Sequence, residues 1–227
     1  MCVQQVPTTM SATTSSPPDA ELLIATGCTH CPVVLEGIST LIKEGVISSL
    51  RVTNIANQPE RAQELGVRSV PWLQLGPFTL QGLHSPAELR EWAERAGSMD
   101  GMSVYLHDQL KQGNLDAMEK LLAAQPKWLN ALIPLLEQED TDMKVRIGVD
   151  ALLESLAANI DLSSLVEELG RLSQHERQSL RSDASHYLSL TRSPAAIPFL
   201  EARLQDDNAE VQDIAKDGLA ELKALKP

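Results

Sequence analysis

Cys28-Thr29-His30-Cys31 constrains this chain more than any other stretch. It follows a short apolar run, Leu22-Leu23-Ile24-Ala25, and leads into Val33-Val34-Leu35, Ile38 and Leu41-Ile42, which recur at helical spacing. The pattern predicts a strand, a tight turn at Gly27 and a helix that starts at Cys28. A cysteine there meets free backbone N–H groups and the positive end of the helix dipole, and both favour a thiolate. A free thiol titrates near ~8.5, and such a site lowers it to roughly 3.5–7.5. Cys31, one turn on, is close enough to pair with Cys28, which suits one thiol that attacks a disulfide and a second that resolves the mixed disulfide. An inert disulfide, half a zinc site and coincidence are the competing readings. Zinc needs about four ligands, and the one other cysteine, Cys2, lies in a Ser/Thr/Pro-rich stretch with no second CxxC in the chain.

Downstream, Ile47 to Asn54 reads as a strand and Pro59 to Leu65 as a helix. Val70-Pro71-Trp72-Leu73-Gln74-Leu75 then runs through Gly76-Pro77 into Phe78-Thr79-Leu80-Gln81-Gly82. Ser85-Pro86-Ala87-Glu88 has capping-box form and opens a helix to about Ala96. The order is β-α-β-α-β-β-α, a sheet with helices on its faces.

With the CxxC at a strand-to-helix junction, Ser69-Val70-Pro71, Gly82 and the closing amphipathic helix, residues 20–97 resemble the thioredoxin/glutaredoxin superfamily. The resemblance implies a cis peptide bond before Pro71, facing the CxxC, and a Val70 backbone that pairs with an extended substrate segment. It implies Cys28 and Cys31 as the catalytic pair, with Thr29, His30, Val70 and Pro71 framing the substrate groove. No bound cofactor or metal is implied beyond the redox-active cysteines. Pro32 after the second cysteine resembles glutaredoxin-like domains, including that of the flavoprotein that reduces bacterial peroxiredoxin, and archaeal disulfide oxidoreductases. The pattern departs from thioredoxin at Leu22, Gly27 and His30, with Gly27 in place of the aromatic before the first cysteine. The aspartate six residues before the first cysteine is Leu22 here, which leaves Glu21 and Glu36 as candidate acids. His30 stands where thioredoxin has proline and resembles oxidising members such as protein disulfide isomerase; its imidazolium would stabilise a Cys28 thiolate.

The chain of 227 residues has room for two domains. Its net charge of -12 argues against nucleic acid, which calls for basic patches. No run reaches transmembrane length, and the first residues lack the basic and apolar regions of a signal peptide. The expectation is a cytoplasmic protein, where a CxxC is more often catalytic than structural. Residues 1–18 read as a flexible tail, 19–97 as the α/β domain, 98–102 as a linker and 103–227 as all-α.

In the last part leucine and alanine recur at helical spacing in about eight helices, with breaks at Gly113-Asn114, Gln125-Pro126, Glu139-Asp140, Asn159-Ile160-Asp161, Ser173 and Ser193-Pro194. Val145-Arg146, Leu180-Arg181 and Val211-Gln212 open aligned stretches at intervals of roughly 30–35 residues, as helical-hairpin repeats do. Ile133-Pro134-Leu135-Leu136-Glu137 and Ile197-Pro198-Phe199-Leu200-Glu201 echo one another ahead of acidic turns. Residues 126–225 resemble HEAT-like repeats, modules that in general bind proteins. His107, His175 and His186 stand apart from one another, and Trp128 and Tyr187 read as packing residues. The resulting reading is a thiol–disulfide oxidoreductase acting on a protein disulfide or dithiol, with a helical solenoid that recruits a protein client and no nucleic-acid or membrane partner. The alternative is a non-enzymatic scaffold whose α/β fold serves only for docking.

Overall fold

The computed structural model describes residues 16–224, and the chain divides into two compact units after Gly97. Most of the tail expected over 1–18, and Cys2 with it, lies outside the described residues.

The first unit runs β1 (Asp19–Ile24), α1 (Cys31–Lys43), β2 (Ser49–Asn54), α2 (Pro59–Glu64), β3 (Trp72–Leu75), β4 (Phe78–Gln81) and α3 (Pro86–Arg95). The sheet order is β2-β1-β3-β4, with β1 parallel to β2 and antiparallel to β3, and β3 antiparallel to β4. A parallel β1–β2 pair needs a crossover, which α1 supplies. Strand side chains alternate between faces. Glu21 and Leu23 therefore share a face, and α2 covers it: Arg61 meets Glu21, while Ala62 packs with Leu23 and Trp72. Ile55, Val67 and Val70 pack against this cluster, so apolar burial holds the segment before Pro71 against the sheet. Full burial of a side chain of this size contributes roughly 1.5–3 kcal/mol, and the partial burial of these three contributes less. Ser85 caps α3 with the expected capping box: its hydroxyl accepts from the Glu88 amide, and the Glu88 carboxylate accepts from the Ser85 amide at 2.7 Å. Phe78 and Trp92 meet edge to face at 5.1 Å between ring centres.

The stretch expected as a linker is instead a helix start. Ser98 accepts the Gly101 amide at 3.0 Å as N-cap, and α4 spans Met99–Gln112. Serine with an acid two residues on is cap chemistry, and the break in the chain is confined to Gly97, at φ +96°.

The second unit continues with α5 (Leu115–Ala124), α6 (Ile133–Glu137), α7 (Met143–Ala157), α8 (Val166–Leu172), α9 (Gln178–Leu190), α10 (Ile197–Arg203) and α11 (Ala209–Ala224). Three-ten segments, Pro126–Leu132, Ser163–Leu165 and Pro194–Ala196, lead directly into α6, α8 and α10. Each thus opens a hairpin completed by α7, α9 or α11. The aligned residue near the start of each second helix has one job. Arg146 donates to the carbonyls of Gln138, Glu139 and Thr141, Arg181 to those of His175 and Glu176, and Gln212 to that of Asp206. The repeat is therefore physical as well as sequential: a long donor at one helical position ties down the turn before it. Arg181 also forms a buried two-pronged pair with Asp206 at 2.9 and 2.8 Å, joining the second hairpin to the third.

Close packing between hairpins fixes Gly170 on α8. A Cβ there would lie 2.6 Å from Cδ1 of Phe199 on α10. Gly170→Ala is expected to destabilise the unit even though alanine favours a helix by about 1 kcal/mol, because overpacking costs about 1–3 kcal/mol. Chemical denaturation measures it. Unchanged or raised stability would mean that Phe199 swings aside freely.

Candidate redox site

The site is built by the turn between β1 and α1. The Cys28 amide donates to the Ala25 carbonyl at 3.2 Å, closing a tight turn with Gly27 at φ +81°, a conformation that a side chain would strain. The helix begins at Cys31, with His30 as N-cap, and not at Cys28 as the spacing suggests. The turn uses up Cys28 before the helix can start. Its sulfur nevertheless sits at the helix entrance: the Cys31 amide donates to Cys28 Sγ at 3.2 Å. Pro32 occupies the first helical turn, where a missing N–H costs nothing.

Cys28 and Cys31 form a disulfide with their Cα atoms 5.5 Å apart. Cys31 is buried and Cys28 half-buried, so an incoming group meets Cys28 first. Thr29 and His30 are exposed at the rim. The Val70–Pro71 peptide is cis, and the Val70 carbonyl oxygen lies 3.8 Å from Cys28 Sγ. A disulfide sulfur has no hydrogen to donate, so this is a contact in the oxidised form and an available acceptor for a reduced thiol. The Gly82 amide donates to the Pro71 carbonyl at 2.9 Å and ties the end of the hairpin to the same segment.

A CxxC at a helix entrance, facing a cis-proline just before the interior strand β3 of a four-stranded sheet, fits the family comparison. Residues 20–94 match the family model for the thioredoxin domain, and residues 129–220 match that for HEAT repeats. The chain is a thioredoxin-like domain followed by HEAT repeats. No curated protein matches it significantly.

In the thioredoxin-like domain Leu22 is fully buried and carries no titratable atom. Glu21 does not stand in for the absent acid. Arg61 grips both its oxygens, Nε to Oε1 at 2.7 Å and Nη2 to Oε2 at 2.6 Å, and holds its carboxyl below the usual range. Strand alternation also sends it to the face opposite Leu22. Glu36 is an exposed residue of α1. One residue escaped the sequence reading. Asn54, at the end of β2, donates to Thr26 Oγ1 at 3.1 Å while its side-chain oxygen accepts the Ala56 amide. It thereby tethers the loop that carries Cys28. An asparagine ending a strand beside a turn is the signal that could have found it.

In the helical unit the three histidines of the described residues stand apart from one another. His107 meets Asp108 at 3.1 Å, His175 accepts the Arg177 amide at 3.1 Å, and His186 lies 3.7 Å from Glu154. Trp128 is buried and donates to Gln125, and Tyr187 is buried and donates to Asp150, as packing residues do. Among the described residues no three His, Cys, Asp or Glu side chains gather as a metal site, and no helix is long and apolar enough to cross a membrane.

Proposed function

We propose that the chain is a thiol–disulfide oxidoreductase acting on protein disulfides, with the HEAT repeats engaging a protein client. One observation carries this reading: a half-buried Cys28 sulfur receives a helix-entrance amide while its partner Cys31 is buried. That asymmetry supports Cys28 as the attacking thiolate and Cys31 as the resolving one. In the reducing direction the Cys28 thiolate attacks one sulfur of a client disulfide. A Cys28–client bond forms and a client thiolate leaves. Cys31, losing its proton, then attacks Cys28 Sγ and releases the second client thiolate. Two electrons pass to the client, and the pair ends as the disulfide. A dithiol donor restores it, and the same steps reversed would oxidise a client. The cysteine pair carries the electrons, and no bound cofactor enters the scheme. Thr29, His30, Val70 and Pro71 form the proposed groove, where the backbone of Val70 would meet an extended client segment. The proposal includes a cytoplasmic location, a compartment that keeps thiols reduced.

The test is reduction of a small protein disulfide by the whole chain with a dithiol as donor. A rate no greater than that of the donor alone would leave the docking-module reading, which the apolar Leu22 and the locked Glu21 favour. His30 supplies a second test. It is exposed beside Cys28, and its imidazolium would stabilise the thiolate of the reduced form. His30→Pro is expected to lower the reduction potential by tens of millivolts, since a tenfold change in the equilibrium corresponds to about 30 mV. Equilibration against a glutathione buffer reads it, and an unmoved potential rejects the role.

A further inference from the structure

The second helices of the repeats carry a surface that packing leaves unused. On α7, Met143, Ile147, Asp150 and Glu154 fall on one stripe, since residues three and four apart are neighbours on a helix. Met143 is 69% exposed and Ile147 59%, whereas Val145, Val149, Leu152 and Leu153 take the core side. Two large apolar side chains exposed one turn apart form a small apolar patch, and a polar rim around such a patch is a feature of interaction surfaces. Here the rim is acidic. Tyr187 of α9 donates to Asp150, His186 of α9 lies 3.7 Å from Glu154, and Gln178 of α9 donates to Glu210 of α11 at 2.9 Å, so the three helices share one face. Asp183 of α9 is half-buried within it and has no hydrogen-bond or ion-pair partner among the described residues. Burial and the neighbouring Asp150 push its carboxyl up. Arg146, the guanidinium whose charge acts on Asp183, makes its hydrogen bonds to turn carbonyls. The face therefore holds more negative charge than its own cations neutralise.

We propose that this face, with Met143 and Ile147 as the apolar anchor and Asp150, Glu154, Asp183 and Glu210 as the acidic rim, docks an amphipathic segment of a partner protein that carries lysine or arginine beside aliphatic residues. The proposal deepens the reading of the repeats as the client-binding part and rests on it. A second copy of this chain is a poor occupant, because each copy carries a net charge of -12. Opposite charge steers the encounter and fixes register, and the apolar pair supplies burial.

The probe is a fluorescent synthetic peptide of about three helical turns, with lysine on one face and leucine on the other. It is titrated by anisotropy into the whole chain, with a lysine-to-glutamate peptide and a leucine-to-serine peptide as comparisons. Only the lysine–leucine peptide is expected to bind. Its affinity should fall about tenfold in Met143→Ser/Ile147→Ser, and about tenfold in Asp150→Asn/Glu154→Gln/Asp183→Asn. It should also weaken in salt high enough to shrink screening to about 3 Å. A variant that removes as many acids elsewhere, Glu139→Gln/Glu167→Gln/Glu201→Gln, should bind like the parent, and circular dichroism confirms that each variant is folded. Equal loss in that variant, no loss in the Met143/Ile147 variant, or equal binding of the comparison peptides overturns the proposal. The titration involves no disulfide, so a chain that binds the peptide but reduces nothing refutes the oxidoreductase reading and leaves this one standing.

Discussion

Cys28→Ser should abolish disulfide exchange altogether, whereas Cys31→Ser should stop it after one step. The difference follows from exposure and hydrogen bonding. Cys28 is half-buried and its sulfur takes the Cys31 amide at 3.2 Å, while Cys31 is buried behind it. Without Cys28 no sulfur at the surface of the site can attack. Without Cys31 the first bond still forms but nothing resolves it, so a client stays linked to Cys28 until an outside thiol removes it. Mass spectrometry of non-reduced samples reads the linked species. In the reduced parent below pH 7, iodoacetamide should modify Cys28 faster than Cys31 by roughly tenfold or more, since a helix-entrance thiolate is populated there and an ordinary thiol is not. Equal alkylation rates, or a Cys28→Ser chain that still reduces disulfides, would remove Cys28 from the attacking role.

Arg181→Met should cost the HEAT unit about 3–5 kcal/mol, the range for breaking a buried ion pair from one side. Asp206 would stay buried with one guanidinium fewer: Arg203 reaches it at 3.1 Å, but both short contacts from Arg181 would go. The carbonyls of His175 and Glu176 would lose their donor as well. The pH dependence gives a sharper test. Arg181 holds the Asp206 carboxyl down to about 2, below the ordinary value of about 3.9. A lowered folded-state value stabilises the fold fully above about 3.9 and loses that stabilisation as pH falls toward about 2. The parent should therefore lose stability through that window, and Arg181→Met should lose much less. Paired replacement, Arg181→Met with Asp206→Leu, should recover part of the loss, because Asp206 is then no longer a buried carboxylate without Arg181, although Arg203 loses its own contact with Asp206. Denaturant unfolding followed by circular dichroism between pH 2 and 7 measures all three chains. A single variant as stable as the parent would show that the pair contributes nothing.

The order of elements was legible because its causes are local. The capping box of Ser85 and Glu88 is satisfied by neighbours in sequence, and the apolar run before Cys28 and the helical spacing from Val145 onward are patterns visible along one stretch of chain, whatever they later pack against. The repeat was legible for a related reason: Arg146, Arg181 and Gln212 each serve a turn only a few residues upstream. Where local rules misled, a competing local rule had been underweighted. Gly97 to Gly101 carries loop-like composition, yet Ser98 caps a helix there. Cys28 looked like a helix start, yet the Gly27 turn claims it.

What pairs residues distant in sequence was decided by the tertiary structure. Glu21 and Glu36 were equal candidates for a missing acid until α2 brought Arg61 onto Glu21. Asn54 had no visible link to Thr26, twenty-eight residues away, before β2 lay parallel to β1. Helical spacing by itself does not set Met143 and Ile147 apart from the buried Val145 and Val149, and stacking alone left the first two in solvent. Periodicity says that a helix has a buried side, but the side depends on the positions of the neighbouring helices. The sequence by itself determined the CxxC, the succession of strands and helices, and the repeat, since spacing along one chain suffices for these. The charge pairs, the tether behind Cys28 and the open face of α7 arise from contacts between segments, and only packing determines which segments meet.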